Sequence, residues 1–420
     1  MAKEALPTPF PTMTEPTFAD THPMAMAAPP RAATAFTPPR ATPATDTLPL
    51  DIVFTGSGSE YFRIWIVNLL LTLVTLGIYY PWAKVRRLRY FYGNTLVDGA
   101  ALDFHGDPKK MLKGSALVAV LFGLYSLAGQ FSPVAGLIAL VLVALIGPAL
   151  LRASMQFRLA NTSWRGLRFR FKGSMPEVYR AVLPLYAPAV LILGYAAMAA
   201  PDTGEDTAAA TRFGLTMLGL LVLMLVVQPW TLWKLKQYQH NHYAFATVQT
   251  RFTATPWSFY KLGLKVCGFA LLAIALPVAA IAALVFTAPS PSQGLRGLGP
   301  LATMLPFLLM LLVLVAVKPY AVSRTQNLVW NHTGGDQLQF HSALRLVPLL
   351  WLTVKNWLLV LVTLGLYWPF AAIAMARLRL QAVSIETYIA PGTLVGQRTH
   401  GSQDAAGDAA GDMLGFDLGL

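Results

Sequence analysis

Eight stretches of this chain are apolar over enough residues to cross the roughly 30 Å hydrocarbon layer of a bilayer, and no other feature constrains the fold as strongly. They fall near residues 61–80, 115–130, 134–151, 181–199, 213–230, 264–286, 301–318 and 347–370. A soluble globular enzyme is excluded: the chain is 55% hydrophobic and 12% charged, with mean hydropathy +0.53, whereas an ordinary soluble domain carries about 25% charged residues. The fold expected is an all-α polytopic membrane protein. Short links at 129–133 and 288–300, and a loop carrying Asp202, Glu205 and Asp206, join the middle six stretches into three hairpins.

Charge decides the orientation expected. The loops 81–114, 152–180, 231–265 and 318–346 hold seven, seven, five and three Lys or Arg, against Arg212 and Arg296 on the opposite side. By the positive-inside rule the basic loops face the cytoplasm, and the net charge of +13 is explained by membrane orientation.

The same four loops share a pattern. Each starts at a proline (Pro81, Pro148, Pro229, Pro319), reaches an asparagine 12 or 13 residues later (Asn94, Asn161, Asn241, Asn331), and then a phenylalanine (Phe104, Phe171, Phe252, Phe340). Proline to phenylalanine is 23 residues in three loops and 21 in the fourth. The alternation in Leu167–Phe171 predicts strands, and Asp98-Gly99 is a hairpin signal. Each loop is therefore expected to hold a helical extension, a turn near the asparagine and a short strand. Phe54 resembles a fifth strand end. Turn or cap roles are expected for the four asparagines, with a joint ligand site as the alternative.

A second repeat pairs the two ends. NLLLTLVTLGIYYPWA (Asn68–Ala83) and NWLLVLVTLGLYWPFA (Asn356–Ala371) agree at 11 of 16 positions, and each precedes a basic cluster. Six crossings lie between them, so two full spans would point the copies in opposite directions. Either the copies form an inverted pair, or both re-enter with breaks near Gly77 and Gly365, which keeps every basic cluster on one side. The second arrangement is preferred.

The text from Phe54 to Gly99, FTGSGSEYFRIWIVNLLLTLVTLGIYYPWAKVRRLRYFYGNTLVDG, resembles the signature of the YjgN-like inner-membrane protein family of bacteria, a family of uncharacterised function. The C-terminal TLGLYWPF is similar to that family's closing segment, so the likeness covers about residues 50–385. It implies a bacterial inner-membrane location and brings no reaction, ligand or catalytic residue.

Pro, Ala and Thr fill 32 of positions 1–50, a composition that cannot bury enough apolar surface to order itself. The organisation expected is a disordered tail over 1–50, a membrane domain over 51–385 and a second disordered tail over 386–420. The first tail lacks a basic start and an apolar core of about 7–15 residues, so insertion is expected to rely on internal spans. No phosphate-binding loop, nucleophile elbow or zinc-protease motif is found, so no enzyme, cofactor or metal is expected. Ser57 or Ser59 should cap a helix with Glu60 in its first turn. Cys267 is read as a packing residue. His240, His242 and His332 are read as interfacial residues, with metal binding the sharper alternative.

Intramembrane polar groups are costly and often functional. Asn68 and Asn356, at equivalent places in the end repeat, are the foremost candidates. Two functions remain open: a transporter or channel for a small solute, or a non-catalytic scaffold that holds anionic lipid headgroups through Arg86, Arg87, Arg89, Arg168 and Arg170. A homo-oligomer is compatible with either. Nucleic acid is not expected, because the basic and aromatic text is tied to span ends.

Overall fold

The described residues of the computed structural model are 47–199, 207–286 and 313–388, with Met304 and Leu311. Helices come in pairs: α1 (Gly58–Val74) with α2 (Tyr80–Gly93), α3 (Pro108–Phe131) with α4 (Pro133–Ala160), α5 (Met175–Ala199) with α6 (Thr207–Asn241), α7 (Pro256–Phe286) with α8 (Lys318–Asn331), and α9 (Leu346–Val362) with α10 (Trp368–Leu380). A π-helical turn, Val313–Val317, leads into α8. Strands β1 (Leu48–Leu50) and β2 (Ile52–Phe54) precede α1. After α2 come β3 (Thr95–Val97) and β4 (Ala100–Phe104), and after α4 come β5 (Thr162–Trp164) and β6 (Leu167–Phe171). After α6 come β7 (Tyr243–Phe245), β8 (Val248–Gln249) and β9 (Arg251–Phe252). After α8 come β10 (Thr333–Gly334) and β11 (Leu338–Ser342), and β12 (Val383–Thr387) follows α10.

The strands join into a ring. One sheet has the order β2-β3-β4-β5-β6-β7-β8 and the other β1-β12-β11-β10-β9. β1 runs into β2 across Asp51, and β8 into β9 across Thr250. The order therefore returns to its start with every paired neighbour antiparallel. Within this order β1, β2, β8 and β9 each pair on one side only, and the continuous β1–β2 and β8–β9 runs link the two sheets. The first and last strands of the described chain, β1 and β12, are paired within it.

Five junctions in the ring share one register: Phe54 opposite Thr95, Phe104 opposite Thr162, Phe171 opposite Tyr243, Phe252 opposite Thr333 and Ser342 opposite Val383. The next amide in each case, on Thr55, His105, Lys172, Thr253 or Ala343, donates to the carbonyl of Asn94, Asn161, His242, His332 or Ala382 at 2.7–3.0 Å. Type I′ geometry fits the turns at Asp98-Gly99 (φ 49° and 70°) and Arg165-Gly166 (φ 49° and 80°), which carry two positive φ angles each and match strand twist. The four phenylalanines each centre a buried cluster between strand and helix. Phe104 packs with Val85, Tyr92, Met111 and Phe157, and Phe171 with Leu151, Met155, Val178 and Val182. Burial of one such ring contributes about 1.5–3 kcal/mol.

The strands expected in the basic loops of a mostly helical fold assemble into this ring, with two strands after α2, α4 and α8 and three after α6 where one per loop was expected. Segments 61–80 and 347–370 are not continuous helices. α1 stops at Val74 and α9 at Val362, each in a Schellman turn: Gly77 N–H donates to Thr72 O and Gly365 N–H to Val360 O, both at 2.8 Å. Leu76 and Leu364 take φ of 50° and 49° there, the left-handed conformation that such a stop requires. The chain then returns to the ring as α2 and α10. Of the remaining segments, four lie in α3, α4, α5 and α6 and one in α7, while 301–318 lies mostly outside the described residues. α3, α4, α5, α6 and the Pro256–Ala275 part of α7 are long and apolar enough to cross a membrane.

Smaller corrections follow. Leu48–Leu50, assigned to the first tail, form β1, and Glu386 and Thr387, assigned to the second, end β12. The rest of both tails lies outside the described residues. Pro148 and Pro229 sit inside α4 and α6, which run on to Ala160 and Asn241 as the helical extensions expected after them. Ser342, not Phe340, holds the register position of the other phenylalanines, so that spacing too is 23 residues from its proline. Cys267 is exposed on α7, so it is not a packing residue.

Candidate functional site

Asn68 and Asn356 occupy matching positions in two short helical hairpins. Each is more than nine-tenths buried, at 7% and 6% exposure. Asn68 Nδ2 donates to Ala83 O across the α1–α2 pair, and Asn356 Nδ2 to Ala371 O across α9–α10, both at 3.4 Å. In both residues Oδ1 is buried without a hydrogen-bond partner, which costs about 1–3 kcal/mol per group. The tips of these hairpins are apolar and open: Leu76 is 93% exposed and Leu364 94%. Thr75 and Thr363 hydroxyls accept from Tyr79 and Tyr367 N–H, filling the backbone groups that the break leaves. α1 also lies against α10, where the Phe62 and Phe370 rings are 5.8 Å apart.

The four loop asparagines bond to nearby backbone groups. Asn94 and Asn161 Nδ2 each donate to the carbonyl four residues back, Tyr90 O and Phe157 O, at 2.8 Å. His242 and His332 Nδ1 do the same to Tyr238 O and Leu328 O, also at 2.8 Å. These two histidines stand 13 residues after Pro229 and Pro319, as Asn94 and Asn161 do after Pro81 and Pro148. Asn241 and Asn331 lie one residue earlier and use Oδ1 to accept from Phe252 N–H and Ser342 N–H. Each of the four precedes a different hairpin of the ring. Ser57 caps α1, its hydroxyl accepting from Glu60 N–H at 3.3 Å.

The histidines do not assemble. His240 is buried with Nδ1 3.0 Å from Thr333 Oγ1, while His242 Nε2 lies 3.3 Å from Glu177 Oε2. Thr333 Oγ1 already donates to Val329 O, so its single proton is used and His240 Nδ1 is the donor. Burial, aided by the Lys236 charge, holds the His240 imidazole well below its ordinary range and keeps it neutral. Among the described residues no three His, Cys, Asp or Glu are grouped as for a metal. Of the five arginines, Arg86, Arg87, Arg89 and Arg168 are exposed. Arg89 Nε donates to Phe104 O at 3.3 Å and Arg170 to Ala246 O at 3.2 Å, so both also tie their hairpins to the ring.

Sequence reasoning missed a largely buried polar stripe. Lys84 stands three residues after Pro81; Lys236 and Gln326 stand seven after Pro229 and Pro319; Arg158, Gln239 and Arg379 stand ten after Pro148, Pro229 and Pro369. Offsets of three, seven and ten place them along one helical stripe. Lys84, Arg158, Gln239 and Gln326 are buried. Lys236 Nζ donates to Gln239 Oε1 at 3.1 Å, Arg379 Nε to Gln326 Oε1 at 2.9 Å, and Gln326 Nε2 back to Arg379 O at 3.0 Å. Burial, together with the Arg379 charge, pulls the Lys236 ammonium down to about 8. In the strand order the hairpin after α8 stands between those of α6 and α10. The signal was present: counting from each proline, instead of seeking like residues, would have revealed it.

Comparison with known proteins agrees with the likeness read from Phe54–Gly99. The chain is 26% identical over 340 residues to the inner membrane protein YjgN of Salmonella typhimurium, covering 77% of this chain and 85% of that one. To the inner membrane protein YjgN of Escherichia coli strain K12 it is 32% identical over 129 residues, 29% of this chain and 31% of that one. The corresponding protein of Escherichia coli O157:H7 is 31% identical over 144 residues, 34% and 35% of the two chains. No solved structure matches. The model of one family, described as bacterial protein of unknown function (DUF898), matches residues 49–413, and the chain belongs to that family.

Proposed function

We propose that this is a multi-pass inner-membrane protein of the transporter or channel class that passes a small solute, built from five repeated units. In this reading the strand ring lies at the cytoplasmic face. The pairs α3–α4, α5–α6 and α7–α8 make six crossings, while α1–α2 and α9–α10 enter the bilayer and return. The ring supports a one-sided arrangement because every helix has one end on it. Exposed Leu124, Leu225 and Leu271 on the long helices suit lipid contact.

The observation that carries the proposal is the Asn68 and Asn356 pair. Two broken helical hairpins, each with a buried amide oxygen left unbonded, are the kind of interrupted element that transporters place at a substrate path. The test uses proteoliposomes loaded with glycine, glucose, inorganic phosphate and potassium ions. Protein-dependent efflux of at least one solute is expected, lost in the double variant Asn68→Leu and Asn356→Leu. The variant should keep its helical content and its melting temperature, since leucine removes an unsatisfied group. Efflux unaffected by the substitutions would contradict the role given to the asparagines.

The exposure of Arg86, Arg87 and Arg168 favours a second reading, a scaffold that holds anionic headgroups. In that case no solute moves, and replacing these three residues with Gln releases bound anionic lipid.

A further inference from the structure

His242, between α6 and β7, faces an acceptor with each ring nitrogen. Nδ1 lies 2.8 Å from Tyr238 O and Nε2 lies 3.3 Å from Glu177 Oε2. A carbonyl oxygen only accepts, so Nδ1 carries a proton. Glu177 Oε2 also accepts from Ser174 N–H at 2.8 Å and from Ser174 Oγ–H at 2.6 Å, as an ionised carboxylate at a helix start does. Its bond to Nε2 therefore needs a second proton on the ring, and the geometry is that of an imidazolium. The side chain of His242 is only 14% exposed, with the Phe171 and Tyr238 rings at 5.8 Å and 5.2 Å.

The repeat supplies its own comparison. Asn94 and Asn161 make the same bond four residues back as His242 and His332 do, so the turn needs one donor and asparagine provides it. Histidine adds a titratable charge to that role. Six residues after Phe54, Phe104, Phe171 and Phe252 stand Glu60, Lys110, Glu177 and Ser258. By register these positions go with Asn94, Asn161, His242 and His332, so of the four junctions that of α5 and α6 alone sets a histidine beside a carboxylate. The other polar groups around the pair are engaged or turned away. Arg152 from α4 donates Nε to Gly173 O at 2.7 Å, and Lys172 N–H donates to His242 O at 3.0 Å while its side chain is exposed. His105 and His341 also lie near carboxylates, Asp103 at 3.6 Å and Glu386 at 3.8 Å, but all four side chains are over a third exposed, where water screens such pairs.

We propose that His242 and Glu177 form a proton-operated latch that holds the ring end of α6 to the start of α5. With Nε2 protonated the pair is a charge-assisted hydrogen bond. When that proton leaves to water, a nitrogen lone pair faces the carboxylate, the attraction is lost and the two helix ends are free to part. Histidine changes charge between about pH 5 and pH 8, so the latch is closed on the acid side of that range and released on the alkaline side. The inference goes beyond the transport reading and does not depend on it.

The experiment uses the full chain in mild detergent, spin-labelled at Met175→Cys and Thr247→Cys in a Cys267→Ala background. Both positions are exposed, one at the start of α5 and the other in the turn between β7 and β8. Pulsed electron spin resonance reads the distance between the labels on the two sides of the histidine range, at about pH 5 and about pH 8. A narrow distribution at the lower pH that broadens at the higher is expected. His242→Asn, which keeps the donor that Asn94 and Asn161 supply, should give the same distribution at both pH values. Glu177→Gln, which keeps the helix cap, should do so as well and serves as the second variant if the first folds poorly. His332→Asn should broaden as the parent does. A parent distribution that does not change with pH, or a change that persists in His242→Asn and Glu177→Gln, overturns the latch.

Discussion

Leu50 in β1 lies opposite Ile385 in β12, so residues 335 positions apart in the sequence close a single strand ring. The pairing makes the fifth antiparallel pair of the ring from the two ends of the described residues. It predicts that Leu50→Cys with Ile385→Cys, in a Cys267→Ala background, forms an intramolecular disulfide on mild oxidation. Non-reducing electrophoresis checks this: a shifted monomer band is expected, and crosslinked dimers alone would contradict the closure.

Glycines test the packing of the strand ends. A Cβ at Gly106 would overlap the Phe104 ring, and one at Gly173 would come within 2.5 Å of both Phe171 Cε1 and Tyr238 Oη. Gly106→Ala and Gly173→Ala should each destabilise by about 1–3 kcal/mol, the usual penalty of overpacking. Gly123→Ala, in open space on α3, should be neutral or slightly stabilising because alanine favours the helix. Denaturation of the three variants in detergent compares them.

The buried stripe predicts a pH effect with a definite sign. The Lys236 ammonium ionises at about 8 in the folded chain, against 10.5 for the free group. Folding therefore disfavours its charged form. The destabilisation is complete below about 8 and fades as pH rises toward the free value. The melting temperature should accordingly rise between pH 8 and pH 10. Lys236→Met should be more stable than the parent at pH 7 and should lose that part of the rise.

How much of this was legible depended on whether physics acts locally. The apolar lengths gave α3, α4, α5 and α6 because a bilayer-length helix is written in consecutive residues. The strand-ending phenylalanines Phe54, Phe104, Phe171 and Phe252 were visible because their identity is kept. Gly77 and Gly365 marked the breaks, since only the stop of a helix calls for the turn found there. Ring closure was not legible: β1 and β12 are three residues and five residues long, and their partners lie at the opposite end of the chain. The buried stripe escaped notice because different residues, Lys84, Arg158, Lys236 and Arg379, carry it at different offsets. Asn94, Asn161, Asn241 and Asn331 look alike, yet only the first two hold the same place, with His242 and His332 substituting in the others.

The account stands most directly on all strands sharing one side of the membrane. The deciding measurement is labelling of Arg168→Cys in β6 and Glu386→Cys in β12, each in a Cys267→Ala background, with a membrane-impermeant maleimide on intact spheroplasts and on inverted vesicles. A ring at the cytoplasmic face predicts that both cysteines react in inverted vesicles and that neither reacts in spheroplasts. Reaction of Glu386→Cys in spheroplasts, with Arg168→Cys reacting in inverted vesicles, would place β12 and β6 on opposite sides of the membrane and contradict the account.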